Sequence, residues 1–203
     1  MARTVEKTLY TFAELDDDAK EKARDWYRDD AFDFDWYEST LDDAKRCGEL
    51  LGIDIDRIYF SGFWSQGDGA CFEGDYRYRK GWRKALRAEV GGDDLPRLEA
   101  IGEALQSIQR RAFYGVTASC RQSGHYMHSG CMAVNVDAGE HPAGGYWNDI
   151  SGWQEDTTDA LRDFADWIYS ALEKEFEFLN SEEIVDEALE ANEYEFDEFG
   201  AIV

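Results

Sequence analysis

Cys120, His125, His128 and Cys131 crowd soft ligands into one short stretch of the chain. Thiolate and imidazole are the usual donors of a structural zinc site, which asks for four of them in a tetrahedron. Strands are expected over 115–122 and 126–137, joined at Ser123-Gly124, and an extended strand sends successive side chains to opposite faces. His125 and Cys131 then share one face while His128 takes the other, so the four converge only if a loop replaces the strand. The expectation is a pair of polar hairpin histidines beside two part-buried thiols, with no metal held. Cys120 with His125, or Ser129 with His128, would pair a nucleophile with a base, but neither pair carries a GxSxG elbow or an acid to orient the base. Asp29, Asp30, Asp33 and Asp35 alternate as calcium ligands do, yet the glycine and terminal glutamate of an EF-hand are out of register. Ser61 to Gly69 is glycine-rich like a phosphate-cradling loop but lacks the Lys-Ser/Thr of a P-loop and the spacing of a dinucleotide fingerprint. A tight hairpin is the simpler reading, with Asp68 a turn residue rather than a base. No catalytic residue, cofactor or metal ligand is expected.

Carboxylates are the residues whose number and spacing stand out. The 203 residues hold 45 Asp and Glu against 21 Lys and Arg, a net charge of −24. The excess sits towards the two ends: 13 acids against 4 bases over 14–43 and 17 against 2 over 155–198, whereas 44–111 is balanced at 11 against 12. Such a charge opposes direct binding of nucleic acid or an anionic membrane and favours a basic protein partner. Acids at i, i+3, i+4 and i+7 of a helix form rows about 5–6 Å apart, comparable to the phosphates along one DNA strand. Asp159, Asp163 and Asp166 form one such row. Glu182, Glu183, Asp186, Glu187 and Glu190 form a second, and Asp18, Glu21, Asp25 and Asp29 a third. The plain alternative is the solvated face of amphipathic helices. Against it stands the scarcity of Lys or Arg at i+4, which an ordinary solvated helix carries.

The elements that must position these residues are readable from period and punctuation. A short strand is expected over Thr4 to Thr11, then a helix opened by Glu14-Leu15-Asp16-Asp17-Asp18, with Asp16 or Asp17 as its cap and Ala19, Ala23, Trp26 and Tyr27 on one apolar face. A second helix from Trp36 to Leu51 stops at Gly52. Ile58 to Gly74 then reads as strand, glycine turn and returning strand, with Tyr59, Phe63 and Phe72 as core anchors. Lys80 to Arg87 is the one basic patch. A helix from Leu95 to Arg110 carries Leu98, Ile101, Leu105 and Ile108 at helical spacing. Glu140 to Trp153 reads as a loop. A long helix from Asp156 carries the stripe Leu161, Phe164, Ala165, Ile168, Leu172 and Phe176, which could pack within the chain or form the seam of a homodimer. A last helix runs from Ser181 to Ala191, and Glu193 to Phe199 alternates like an edge strand. The fold class is α+β: a mainly antiparallel sheet of four to six strands with acidic amphipathic helices on one face. The expected division is a core over 1–178 and an acidic helix and tail over 179–203.

No apolar run of membrane-spanning length is present, and Met1 to Lys7 lacks a signal-peptide core, so cytoplasmic residence with reduced cysteines is expected. The stretch Phe60-Ser61-Gly62-Phe63-Trp64-Ser65-Gln66-Gly67-Asp68-Gly69-Ala70-Cys71-Phe72 resembles the signature of a poorly characterised group of acidic proteins encoded by phages and prophages, some labelled antitoxin-like. The tail Asn192-Glu193-Tyr194-Glu195-Phe196 is similar to their C-terminal ends. The resemblance implies a phage context and assigns no role to any position. Charge and resemblance together give the functional expectation: a non-enzymatic inhibitor that mimics DNA and binds a basic nucleic-acid-binding host protein of the anti-defence or anti-CRISPR class. An antitoxin-like or regulatory protein-binding module is the alternative, and an enzyme using the glycine-rich hairpin with the His125/His128 region is the second.

Overall fold

A computed structural model of the chain describes residues 7–31, 35–139 and 150–203. They divide into two compact units, one made of 38–173 and the other of 1–37 together with 174–203.

The larger unit is built on a four-stranded antiparallel sheet whose strands, 53–60, 70–77, 117–122 and 132–137, pair in chain order. Helix α2 (Glu38–Leu51) buries Ala44, Cys47, Leu50 and Leu51, and stops at Gly52, whose φ is +88°. A Cβ at that position would lie 2.1 Å from the Arg77 carbonyl oxygen, so the turn needs glycine both for its left-handed backbone and for its closeness to the neighbouring strand. Strands β2 (Ile53–Phe60) and β3 (Ala70–Arg77) form the expected hairpin, with a bulge between Ile55 and Arg57. Helices α3 (Trp82–Glu89) and α4 (Asp94–Arg111) link β3 to β4 (Thr117–Gln122), and β5 (Met132–Asp137) pairs with β4 from Gln122↔Met132 to Thr117↔Asp137.

Alternation along β3 sets the layers. Phe72 and Tyr76 face the helices: Phe72 meets Phe164 of α5 (Ile150–Leu179) edge-on at 5.9 Å, and the Tyr76 hydroxyl accepts from Gln109 of α4 at 3.2 Å. Gln109 is fully buried and also donates to the Val116 carbonyl at 2.6 Å, so its amide is satisfied. On the opposite face Asp75 and Arg77 are exposed, whereas Cys71 is buried where the 129–131 turn packs over β3. Leu161, Phe164, Ala165, Ile168 and Leu172 are all fully buried, as their helical spacing predicts. Each large one contributes about 1.5–3 kcal/mol through its burial.

The smaller unit pairs β1 (Tyr10–Thr11) antiparallel with β6 (Glu195–Phe196). Helix α1 (Asp17–Trp26) is capped by Asp16, whose carboxylate accepts from the Ala19 amide at 2.9 Å, and it runs on into a widened π turn over Tyr27–Ala31. Phe12, Leu15, Ala19 and Ala23 pack with Val185 and Leu189 of α6 (Glu182–Ala191) and with Phe196. This division differs from a boundary at 178/179. A ten-residue α1 cannot bury its apolar face alone, and Val185, Leu189 and Phe196 at the far end of the chain cover it.

The α+β class and the antiparallel pairing are as the sequence predicts, and the five expected helices come in the expected order, with α3 added over the basic stretch, where the sequence predicts no helix. Among the boundaries that differ, three matter most. Strand β5 starts at Met132 rather than 126, so His125 and His128 lie in a loop. Helix α5 starts at Ile150 rather than Asp156, placing Thr157 inside it and burying Trp153. The N-terminal strand is confined to Tyr10–Thr11 among the described residues; the expected start at Thr4 and Val5 lies outside them, as do Asp33, Trp147 and most of the 140–153 loop. Among the described residues no helix is long and apolar enough to cross a membrane.

Candidate acidic interface

Helix α5 turns its apolar stripe inward, which leaves Asp159, Asp163 and Asp166 exposed on the other side. None of the three makes an ion pair among the described residues. The Asp163 carboxyl is pushed above the usual range, first by partial burial and then by the charges of Asp166 and Asp159, with Arg97 pulling the other way. The Arg97 guanidinium itself donates to the Ser170 hydroxyl at 2.9 Å. Like charges that perturb one another are set close and left largely uncompensated.

Both other rows lie in the smaller unit. Asp18, Glu21, Asp25 and Asp29 are exposed along α1 and the π turn, and Glu182, Glu183, Glu187 and Glu190 are exposed on α6. Asp186 is half-buried and held by Arg24, with Nε to Oδ1 at 2.6 Å and Nη2 to Oδ2 at 2.7 Å. Arg24 also meets Glu21 at 3.0 Å, and Arg28 stands 3.4 Å from both Glu21 and Asp25. Compensation scarce at i+4 is therefore supplied at i+3, at i+7 and across the two helices, and among the described residues Asp18, Asp29, Glu182, Glu183, Glu187 and Glu190 make no ion pair, although Glu182 adds to the negative field at Arg24. In sequence the smaller unit holds 22 acids against 7 bases, a balance of −15, and the larger unit 23 against 14, a balance of −9 over twice the length. The basic patch on α3 is drawn into pairing: Arg83 meets Glu103 and Arg87 meets Glu99, both on α4.

The other chemistry-bearing residues are placed as follows. Cys120 is fully buried in β4 and burial pushes its thiol up to about 12, far from an activated nucleophile, while His125 is exposed and meets Tyr126 edge-on at 5.5 Å. Ser129 opens the 129–131 turn and makes no side-chain hydrogen bond to His128; the partner His128 finds is Cys131, with Sγ to Nε2 at 3.5 Å. Sequence reasoning set these two on opposite strand faces, and the loop in place of the strand brings them together. Among the described residues no three His, Cys, Asp or Glu side chains converge as metal ligands. Asp35 accepts from the Tyr37 hydroxyl at 2.9 Å. In the β2–β3 loop the Ser65 amide donates to Asp68 at 2.6 Å, the Asp68 amide to Ser65 at 3.1 Å and the Gly69 amide to Ser61 at 3.2 Å. These amides close the turn on itself instead of cradling an anion. Trp153 is buried in the core, whereas Trp64 is 74% exposed.

No curated protein and no solved structure matches the chain. A family model described as a domain of unknown function, DUF8835, matches residues 36–182. That span coincides within a few residues of either end with the larger unit plus the rest of α5. With most of its length covered by the match, the chain belongs to the DUF8835 family.

Proposed function

We propose that this chain is a non-enzymatic, phage-type acidic inhibitor that binds a basic nucleic-acid-binding host protein by presenting carboxylates where that protein expects phosphates. The observation that carries the reading is the Asp159, Asp163 and Asp166 row, three exposed carboxylates on one helix face that make no ion pair among the described residues, the central one raised first by partial burial and then by its two neighbours. A solvated helix gains from i, i+4 pairs and loses from like-charge rows, so a row kept at that cost fits a surface matched to cations elsewhere. Glu182, Glu183, Glu187 and Glu190 add a second row on the smaller unit.

Neutralisation tests this directly. Asp159→Asn/Asp163→Asn/Asp166→Asn and Glu182→Gln/Glu183→Gln/Glu187→Gln/Glu190→Gln, prepared separately and together, keep shape and remove charge. Each should weaken binding to basic proteins captured from a bacterial lysate, and the combined variant should abolish it. Retention of the same proteins by the combined variant at wild-type strength would remove the basis for this reading.

A further inference from the structure

The four cysteines fall into two kinds. Cys47, Cys71 and Cys120 are buried, and burial pushes their thiols up to about 11, about 11 and about 12. Such thiols stay protonated at neutral pH and react poorly, because the thiolate is the nucleophile. Cys131 is half-buried and faces an imidazole, its Sγ 3.5 Å from Nε2 of half-buried His128.

Two loops build the seat of that imidazole. A Cβ on Gly69, in the β2–β3 loop, would stand 2.5 Å from the His128 Cβ, and one on Gly130 would stand 2.9 Å from ring atoms Cε1 and Nδ1. Side chains at either position would displace the ring. Tyr126 stacks on it with centroids 6.1 Å apart and planes 23° apart. The turn is closed by the Cys131 amide donating to the His128 carbonyl and the Ser123 amide donating to the Cys131 carbonyl, both at 2.8 Å. Thiol and imidazole are thus held face to face on one hydrogen-bonded turn, and both residues are half-buried rather than sealed in the core.

We propose that Cys131 and His128 form a reactive thiol–imidazole pair, and that Cys131 is the chain's site of mixed-disulfide formation with small-molecule disulfides. Nε2 takes the thiol proton and the thiolate attacks one sulfur of the disulfide. A bond forms between Sγ and that sulfur as the original S–S bond breaks. The departing thiolate takes the proton from the imidazolium and leaves as a thiol. Cys131 is oxidised to the mixed disulfide, and the other half of the disulfide is reduced. This inference stands apart from the acidic-partner reading.

The experiment incubates the folded chain at neutral pH with glutathione disulfide and, separately, with iodoacetamide. Adducts are followed by intact-mass spectrometry and placed by peptide mapping. One adduct is expected with each reagent, at Cys131, and none in Cys131→Ser. His128→Gln and His128→Ala should slow the reaction about tenfold or more, while His125→Ala should react at the wild-type rate. In urea the His128 variants and the wild type should react alike, which separates the imidazole's chemistry from its packing. Should the variants fail to fold, the wild type alone decides, since Cys131 must react faster folded than unfolded. Wild-type rates in folded His128 variants, a first adduct at another cysteine, or a folded chain slower than the unfolded one would each overturn the proposal.

Discussion

Asp163 carries the energetic signature of the acidic face. Its carboxyl is pushed up by burial and by Asp166 and Asp159, so the folded chain holds this proton more tightly than the unfolded chain. The stability linked to it is full below the ordinary carboxylate range and is lost as pH rises through the raised folded value. Asp163→Asn should therefore raise the melting temperature at neutral pH and give no gain below about pH 3, where the group is protonated in both states; thermal melts at the two pH values check this. Arg24 works in the opposite sense. Its bidentate contact with Asp186 joins α1 to α6, and Asp186 holds the guanidinium charged. Arg24→Met should cost about 1–2 kcal/mol, and a double-mutant cycle with Asp186→Asn should recover part of that as coupling. At this scale the sequence is legible where a residue acts on nearby backbone. Asp16 as a cap and Asp68 as a turn residue each bond within three positions. The Arg24–Asp186 contact joins residues 162 positions apart, and nothing local announces it.

Helices with a clean apolar period are the elements the sequence shows best. Leu98, Ile101, Leu105 and Ile108 on α4, and Leu161 to Leu172 on α5, are buried as their spacing predicts. Phe164 sits between Phe72 and Trp167 with no exposure, and Phe164→Ala should destabilise the larger unit by about 3–5 kcal/mol in denaturant unfolding. The two misplaced starts have physical reasons. Ser151 and Gly152 are poor helix formers, yet the burial of Trp153 anchors the first turns of α5 and overrides their propensity. Tyr126 to Cys131 alternates enough to pass for a strand, but the His128 carbonyl bonds the Cys131 amide and closes a turn instead. That misreading hid the Cys131–His128 pair, because a strand would have set the two on opposite faces.

For the whole molecule, composition already located the charge, and the division into units shows what that distribution means. The acid-rich ends of the chain come together in one unit, because Phe12, Leu15, Ala19 and Ala23 find their core partners in Val185, Leu189 and Phe196. No local pattern could specify that pairing. The family match covers the larger unit with its own Asp159, Asp163 and Asp166 row, while the α1 row and nearly all of the α6 row lie outside it. Charge-driven association predicts a salt dependence: affinity for a basic partner should fall steadily as ionic strength rises, whereas hydrophobic docking would be insensitive or strengthened. The most direct measurement is capture from a bacterial lysate on the immobilised chain, at low and high salt, with and without duplex DNA as competitor, and mass spectrometry of what is retained. The account predicts basic nucleic-acid-binding proteins, released by high salt and displaced by DNA. Retention of nothing basic, or of proteins that neither salt nor DNA removes, would contradict it.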